Sequence, residues 1–186
     1  MDNKYYNFTS NGYLVTLAVA PAFFEKAIAS DDWSEDGGRM IYDHLIRGEH
    51  RDYISFPVDF IVTDGKKLRD VIEMRYPFGF LISERIKTIF ECAGLTGWRT
   101  YDVTVHKNNG ELIPGYYGFQ VTGKCSTVIP GQSEQPSDFF RPDSWYYGCV
   151  CTQKVIDVLR ANHINDFDIC PISDSGKVIP KKISIR

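Results

Sequence analysis

Residues 83–98 read as a complete supersecondary unit, and this unit constrains the chain more than any other feature. Ser83 is a residue type favoured just before a helix. Glu84 follows in the first turn, where the helix dipole favours an anion. Ile86, Ile89, Phe90 and Ala93 recur at helical spacing. Gly94 stands where a helix stops, and Trp98 to His106 alternates as a strand. The same order of residue types returns 69 positions later. Ser83-Glu84-Arg85-Ile86 aligns with Thr152-Gln153-Lys154-Val155, Ile89 with Val158, Phe90 with Leu159, Leu95 with Ile164 and Trp98 with Phe167. Any cap–helix–strand unit has this look, so duplication and coincidence both stay open. Two copies are too few for a solenoid. Together with the hairpin signals between them, they predict an α+β fold. The expectation is a largely antiparallel sheet with two amphipathic helices packed on it, with a duplicated helix–strand unit as the open alternative.

The length of 186 residues fits a single domain over 1–186. Possible halves are 1–125 and 126–186, the second echoing the 78–105 unit. Strands are expected at Lys4–Phe8, Tyr13–Val19, Phe78–Ile82, Tyr116–Thr122, Tyr146–Cys151 and Phe167–Ile172. Pro21 ends the second of these. The lysine-bearing tail could add a last strand. Pro57 inside Ile54–Val62 demotes that run to an edge strand or two short pieces. Phe23–Ala29 reads as a short helix or turn, and short helices are expected at Arg39–Arg47 and Lys67–Arg75, the last with Leu68, Val71 and Ile72 on one face. Asn108-Asn109-Gly110 turns the chain into a hairpin. Ser126 to Ser144, rich in Pro, Gly, Ser and Gln, reads as the longest loop, and long loops often carry function.

Charge limits the partners. The formal net charge is −3, so no whole-protein basic field draws nucleic acid. Lys177, Lys181, Lys182 and Arg186 make only a thin basic tail. The longest apolar run, Tyr13 to Phe24, falls short of the ~20 residues a membrane span needs. It also lacks the positive region that opens a signal peptide. Five cysteines, an odd number without CxxC pairs, argue against a disulfide framework. The expected location is the cytoplasm.

No constellation in the sequence names a reaction. Cys149 and Cys151 share one strand face and could meet a metal, but nothing nearby completes a four-ligand set. Buried core thiols are the plainer reading. Gly118 to Lys124 fits GxxxxGK, with Cys125 where Ser or Thr would hold Mg²⁺, and the strand-like context is wrong for a phosphate loop. His44, His50, His106 and His163 show no metal spacing. A Cys-His pair could still be assembled by folding. Asp31, Asp32, Glu35, Asp36, Asp138, Asp143, Asp166 and Asp168 read as solvated loop charges. No catalytic, cofactor-binding or metal site is assigned.

The segments Phe78 to Tyr101 and Pro114 to Gly123 resemble a family of bacterial immunity proteins of polymorphic toxin systems. The likeness rests on Ile82-Ser83-Glu84-Arg85-Ile86, on Gly94-Leu95-Thr96-Gly97 and on Tyr116-Tyr117. It covers roughly residues 55–125 and weakly the second copy. The resemblance implies a non-catalytic protein that binds and neutralises one cognate toxin domain; no cofactor, nucleic-acid partner or membrane is expected. It supplies no catalytic residues. The residues themselves suggest a contact surface in the 131–147 loop: Phe139, Phe140, Arg141, Trp145 and Tyr146, types enriched in interface hot spots, flanked by Asp138 and Asp143. The acidic members would steer toward a basic toxin. The alternatives are rings that cover the protein's own sheet, an enzyme with a Cys/His or carboxylate site, or a small-ligand-binding domain.

Overall fold

A computed structural model describes residues 5–10, 16–22, 56–75, 79–130, 136–143 and 149–183. Its strands, in chain order, are β1 (Tyr5–Ser10), β2 (Ala18–Pro21), β3 (Val58–Asp64), β4 (Val71–Met74), β5 (Gly79–Ser83), β6 (Trp98–His106), β7 (Tyr116–Val121), β8 (Lys124–Cys125), β9 (Phe139–Pro142), β10 (Val150–Thr152) and β11 (Phe167–Pro171). The helices are α1 (Glu84–Cys92) and α2 (Gln153–Ala161). The fold is α+β. The chain divides into two compact units that are interleaved in sequence rather than set end to end. One unit holds 1–11, 86–99 and 121–186; the other holds 12–85 and 100–120. Contiguous halves at 1–125 and 126–186 are therefore not the division seen. The expected helix or turn at 23–29 and the expected helix at 39–47 lie outside the described residues.

The second unit is built on a closed barrel in the order β2-β3-β6-β7-β5-β4. This corrects the expectation of a plain, largely antiparallel sheet. β2 runs parallel to β4, and β3 runs parallel to β6. β2–β3, β4–β5 and β5–β7 are antiparallel. Closure leaves no open edge to pair with another chain. Alternation decides which residues fill the interior. Val58 and Phe60 on β3, Ile72 and Met74 on β4, Leu81 on β5, and Tyr101 and Val105 on β6 are buried in one cluster. The expected helix at Lys67–Arg75 instead contains β4, in which Val71 and Ile72 pair with Ile82 and Leu81 of β5 and Glu73 and Met74 pair with both β5 and β2. Helical spacing over so few residues yields to the two ladders. Pro57 precedes β3 rather than interrupting it. β3 therefore takes a partner on each side, and the expectation of an edge strand is also corrected.

Gly118 on β7 answers to Tyr101. A Cβ built at Gly118 would lie 1.9 Å from a ring atom of Tyr101, so the ring occupies the space a side chain would need. The Tyr101 hydroxyl has only the Met74 sulfur, at 3.9 Å, as a partner among the described residues. Burial pushes its pKa well up. A thioether is a weak acceptor. Tyr101→Phe is therefore expected to change stability by less than about 1 kcal/mol, whereas Tyr101→Ala should cost about 3–5 kcal/mol for the lost ring. Urea unfolding of the two variants measures both.

The first unit carries a five-stranded sheet, β11-β1-β10-β9-β8. β1 is antiparallel to both β10 and β11. β9 is antiparallel to β10 and parallel to β8. Phe8 packs on Phe139 and Phe167. Phe90 of α1 packs on Phe139 and Trp98. Val155, Ile156 and Leu159 of α2 are buried.

The sequence echo is a structural repeat. β10 and β11 flank β1 and so run parallel to each other across it. β5 and β6 likewise flank β7, which returns from β6 by a hairpin with an antiparallel bridge between His106 and Leu112. Each copy is a split β-α-β unit. The helix ends agree atom for atom. Leu95 N donates to Phe90 O and Gly94 N to Glu91 O; Ile164 N donates to Leu159 O and His163 N to Arg160 O. Both are Schellman closures. Gly94 has φ +58 and His163 has φ +53, so the second copy holds a histidine where the first has glycine.

Candidate functional site

The segment around β9 was the sequence's candidate surface, and the structure gives it a different role. β9 is a strand inside what read as a loop. Its approach runs across two glycines. A Cβ at Gly97 would lie 1.9 Å from Phe139 O and 2.4 Å from the Ser137 Cβ; one at Gly123 would lie 2.1 Å from the same carbonyl. Phe139 N donates to Thr96 O, and Arg141 N donates to Gly123 O. Side-chain-free positions let these backbones meet. The same observation disposes of the GxxxxGK resemblance. Gly118 makes room for a ring, Gly123 makes room for a backbone, and β7 occupies the residues between them.

Phe139 and Phe140 are fully buried, and Arg141 keeps 8% of its surface. Of the two readings open from the sequence, an exposed patch or rings that cover the protein's own sheet, the second holds for these residues. Alternation along β9 sends Phe139 to the helix-covered face beside Phe8 and Phe90. Phe140 points to the opposite face, where it meets Tyr5 and clusters with Cys125, Val150 and Ile172. Both faces of this strand are covered, so neither ring reaches water. Asp143 is exposed, and its N–H donates to Cys125 O. Trp145 and Tyr146 lie outside the described residues.

Asp138 ties three segments together. Its Oδ2 accepts from Thr96 N at 2.9 Å, Thr96 Oγ1 at 3.0 Å and Lys154 Nζ at 3.1 Å. Its Oδ1 accepts from Thr152 Oγ1 at 3.4 Å, and its carbonyl accepts from Thr152 N. Thr152 stands at the N-cap position of α2 but makes no side-chain cap bond to the helix; its hydroxyl turns to Asp138 instead. Asp70 repeats the arrangement at α1. It accepts from Ser83 Oγ at 2.7 Å, from Ser83 N through its carbonyl, and from Arg85. Each copy thus sets an aspartate against a Ser/Thr at the helix start and a basic residue two positions on. Charge-assisted bonds of this kind are stronger than neutral ones. Sequence reasoning missed the device, although the matched pairs Ser83/Thr152 and Arg85/Lys154 were visible in the echo.

The thiols offer little nucleophilicity. Cys149 and Cys151 are buried. Burial pushes the Cys149 thiol well up despite the nearby Arg141, and burial with the neighbouring Cys149 pushes the Cys151 thiol well up too. Thiolate is the reactive form. Alkylation of the native protein is therefore expected at the exposed Cys92 first, with Cys149 and Cys151 at least ~100-fold slower until the chain is unfolded. Peptide mapping after timed labelling tests this. Among the described residues, no three His, Cys, Asp or Glu side chains gather as a metal site. His106 Nε2 lies 3.8 Å from Asp59 on the surface. Asp168 is paired with Lys182. His44, His50, Asp31, Asp32, Glu35 and Asp36 lie outside the described residues.

No described helix is long and apolar enough to cross a membrane. The chain matches no protein-family model and no curated protein. The likeness of residues 78–101 and 114–123 to immunity proteins therefore enters the functional argument only as a proposal.

Proposed function

We propose that this chain is a non-catalytic immunity protein that binds and neutralises a cognate bacterial toxin domain in the cytoplasm. One observation carries the reading beyond the sequence resemblance: groups that could have served chemistry are committed to the fold. Asp138 and Asp70 are each engaged by a Ser or Thr hydroxyl and a basic side chain. Cys149 and Cys151 are core residues whose thiols burial keeps protonated. The contact surface contracts to the exposed Asp143 and its sequence neighbours Trp145 and Tyr146, the remaining hot-spot types.

The test is affinity capture by the tagged protein from lysate of its own source, washed at low and high salt. The expected result is one stoichiometric partner whose C-terminal domain arrests growth when expressed alone and is silenced by co-expression of this chain. Finding no partner at either salt, with the toxin expressed, would overturn the reading. Against the captured partner, Trp145→Ala is expected to weaken binding by more than about 1 kcal/mol, roughly fivefold. An unchanged Kd, measured by calorimetry, would remove Trp145 from the surface.

A further inference from the structure

β11 is one edge of the five-stranded sheet, and its two sides are held unequally. On the inner side, β1 pairs with it over five consecutive residues, from Tyr6 opposite Pro171 to Ser10 opposite Phe167. On the outer side lies the segment 177–183, folded back by a turn at 173–176. Val178 bridges Ile172, Ile179 N donates to Pro171 O and Ile183 N donates to Ile169 O. Between these contacts Pro180 has no N–H to give, and Lys181 N turns back to Ile179 O. The segment therefore bows away from the strand it covers. Val178 and Ile179 keep 38% and 42% of their surface in water, against 1% for Phe8 on the inner side. Few buried apolar contacts and exposed backbone bonds mark a segment that opens locally at small cost.

The charges on the two sides are complementary. Asp166, Asp168 and Asp174 lie on β11 and beside it; the covering segment carries Lys177, Lys181 and Lys182. Lys182 pairs with Asp168. The outer segment thus displays the chemistry this edge accepts, an extended antiparallel strand with apolar residues and lysines.

We propose that residues 177–183 are a displaceable guard. The β11 edge beneath them is a docking site for an extended, basic strand of a partner protein, added to the sheet by β-augmentation. The guard blunts an edge that would otherwise template unwanted pairing, and a partner strand replaces it in kind. This inference stands independently of the immunity reading.

The test uses the full chain and a synthetic peptide of the sequence KVIPKKI, identical to residues 177–183. In wild type, the Ile179 and Ile183 amides should exchange at least 100-fold faster than the Phe8 amide. In Lys182→Glu, which sets a carboxylate against Asp168, they should exchange at least tenfold faster still, with Phe8 unchanged. The peptide should bind this variant at least tenfold more tightly than wild type. A peptide with its three lysines replaced by glutamate should bind at least tenfold more weakly than KVIPKKI. Wild-type amides at 179 and 183 as slow as Phe8 would overturn the displaceable guard. Unchanged exchange in Lys182→Glu would overturn the part given to the ion pair. A loosened guard without a gain in peptide affinity would overturn the docking site, and equal binding of the acidic peptide would overturn the basic partner.

Discussion

Gly97→Ala is expected to destabilise the protein by about 2–5 kcal/mol. Two costs add. The residue sits at φ +81, a conformation that costs an L side chain about 1–2 kcal/mol. The new methyl carbon would also lie 1.9 Å from the carbonyl oxygen of Phe139. That oxygen belongs to a backbone pinned by the Phe139 N–H to Thr96 O bond. It cannot swing aside as a side-chain tip could, so the strain spreads into β9, at about 1–3 kcal/mol or more. Gly94→Ala separates the two contributions. Its φ is also positive, but a Cβ there meets nothing within 4 Å, so about 1 kcal/mol is expected. Urea unfolding of the two variants gives the comparison. Equal losses would mean that the close approach of residues 137–139 to Gly97 is not real.

Phe139→Ala should lower stability by about 3–5 kcal/mol with no partner present. The ring is fully buried and lies 5.3 Å from Phe8 and 5.4 Å from Phe90, centroid to centroid. Truncation would empty the place where β1, α1 and β9 meet, with little chance of collapse. An interface hot spot behaves the opposite way: it loses affinity while the free protein keeps its stability. Thermal and urea unfolding of the isolated variant therefore decide between a core ring and a contact ring. A loss below about 1 kcal/mol would return Phe139 to the surface.

Much of the local structure was legible because local rules wrote it. The stop at Gly94 and the hairpin turn at Asn109-Gly110 rest on interactions within a few residues, and the residue types at Ser83 and Thr152 marked the two helix starts, although their hydroxyls turn to Asp70 and Asp138. Their spacing survives in any fold that uses them. The 69-residue echo was legible for the same reason, and it extended further than residue types showed. The matched Schellman closures repeat as well, as do Asp70 and Asp138, each set against the Ser or Thr that precedes its helix. What misled was segment-scale pattern without its partner. The Leu68, Val71, Ile72 spacing read as a helix, yet Val71–Met74 pairs with β2 and β5. Pro57 read as an interruption, yet it stands just outside β3.

The placement of Phe139, Phe140 and Arg141 turned on the same divide. Phe139, Phe140 and Arg141 sit among loop-forming residues, and aromatic and basic types in a loop read as an exposed patch. Whether such rings face water depends on what covers them, and that covering comes from residues distant in sequence: Phe8, Phe90, Tyr5 and Val150. The sequence by itself determined the secondary-structure class and the two helices with their starts and stops, and it offered the echo between them without deciding whether it was more than coincidence. Only the tertiary structure decided that six strands close into a barrel, that the two compact units interleave along the chain, and that β9 is core rather than surface. The first set depends on contacts between near neighbours. The second depends on long-range pairing, where a glycine such as Gly97 is chosen for a strand some forty residues away.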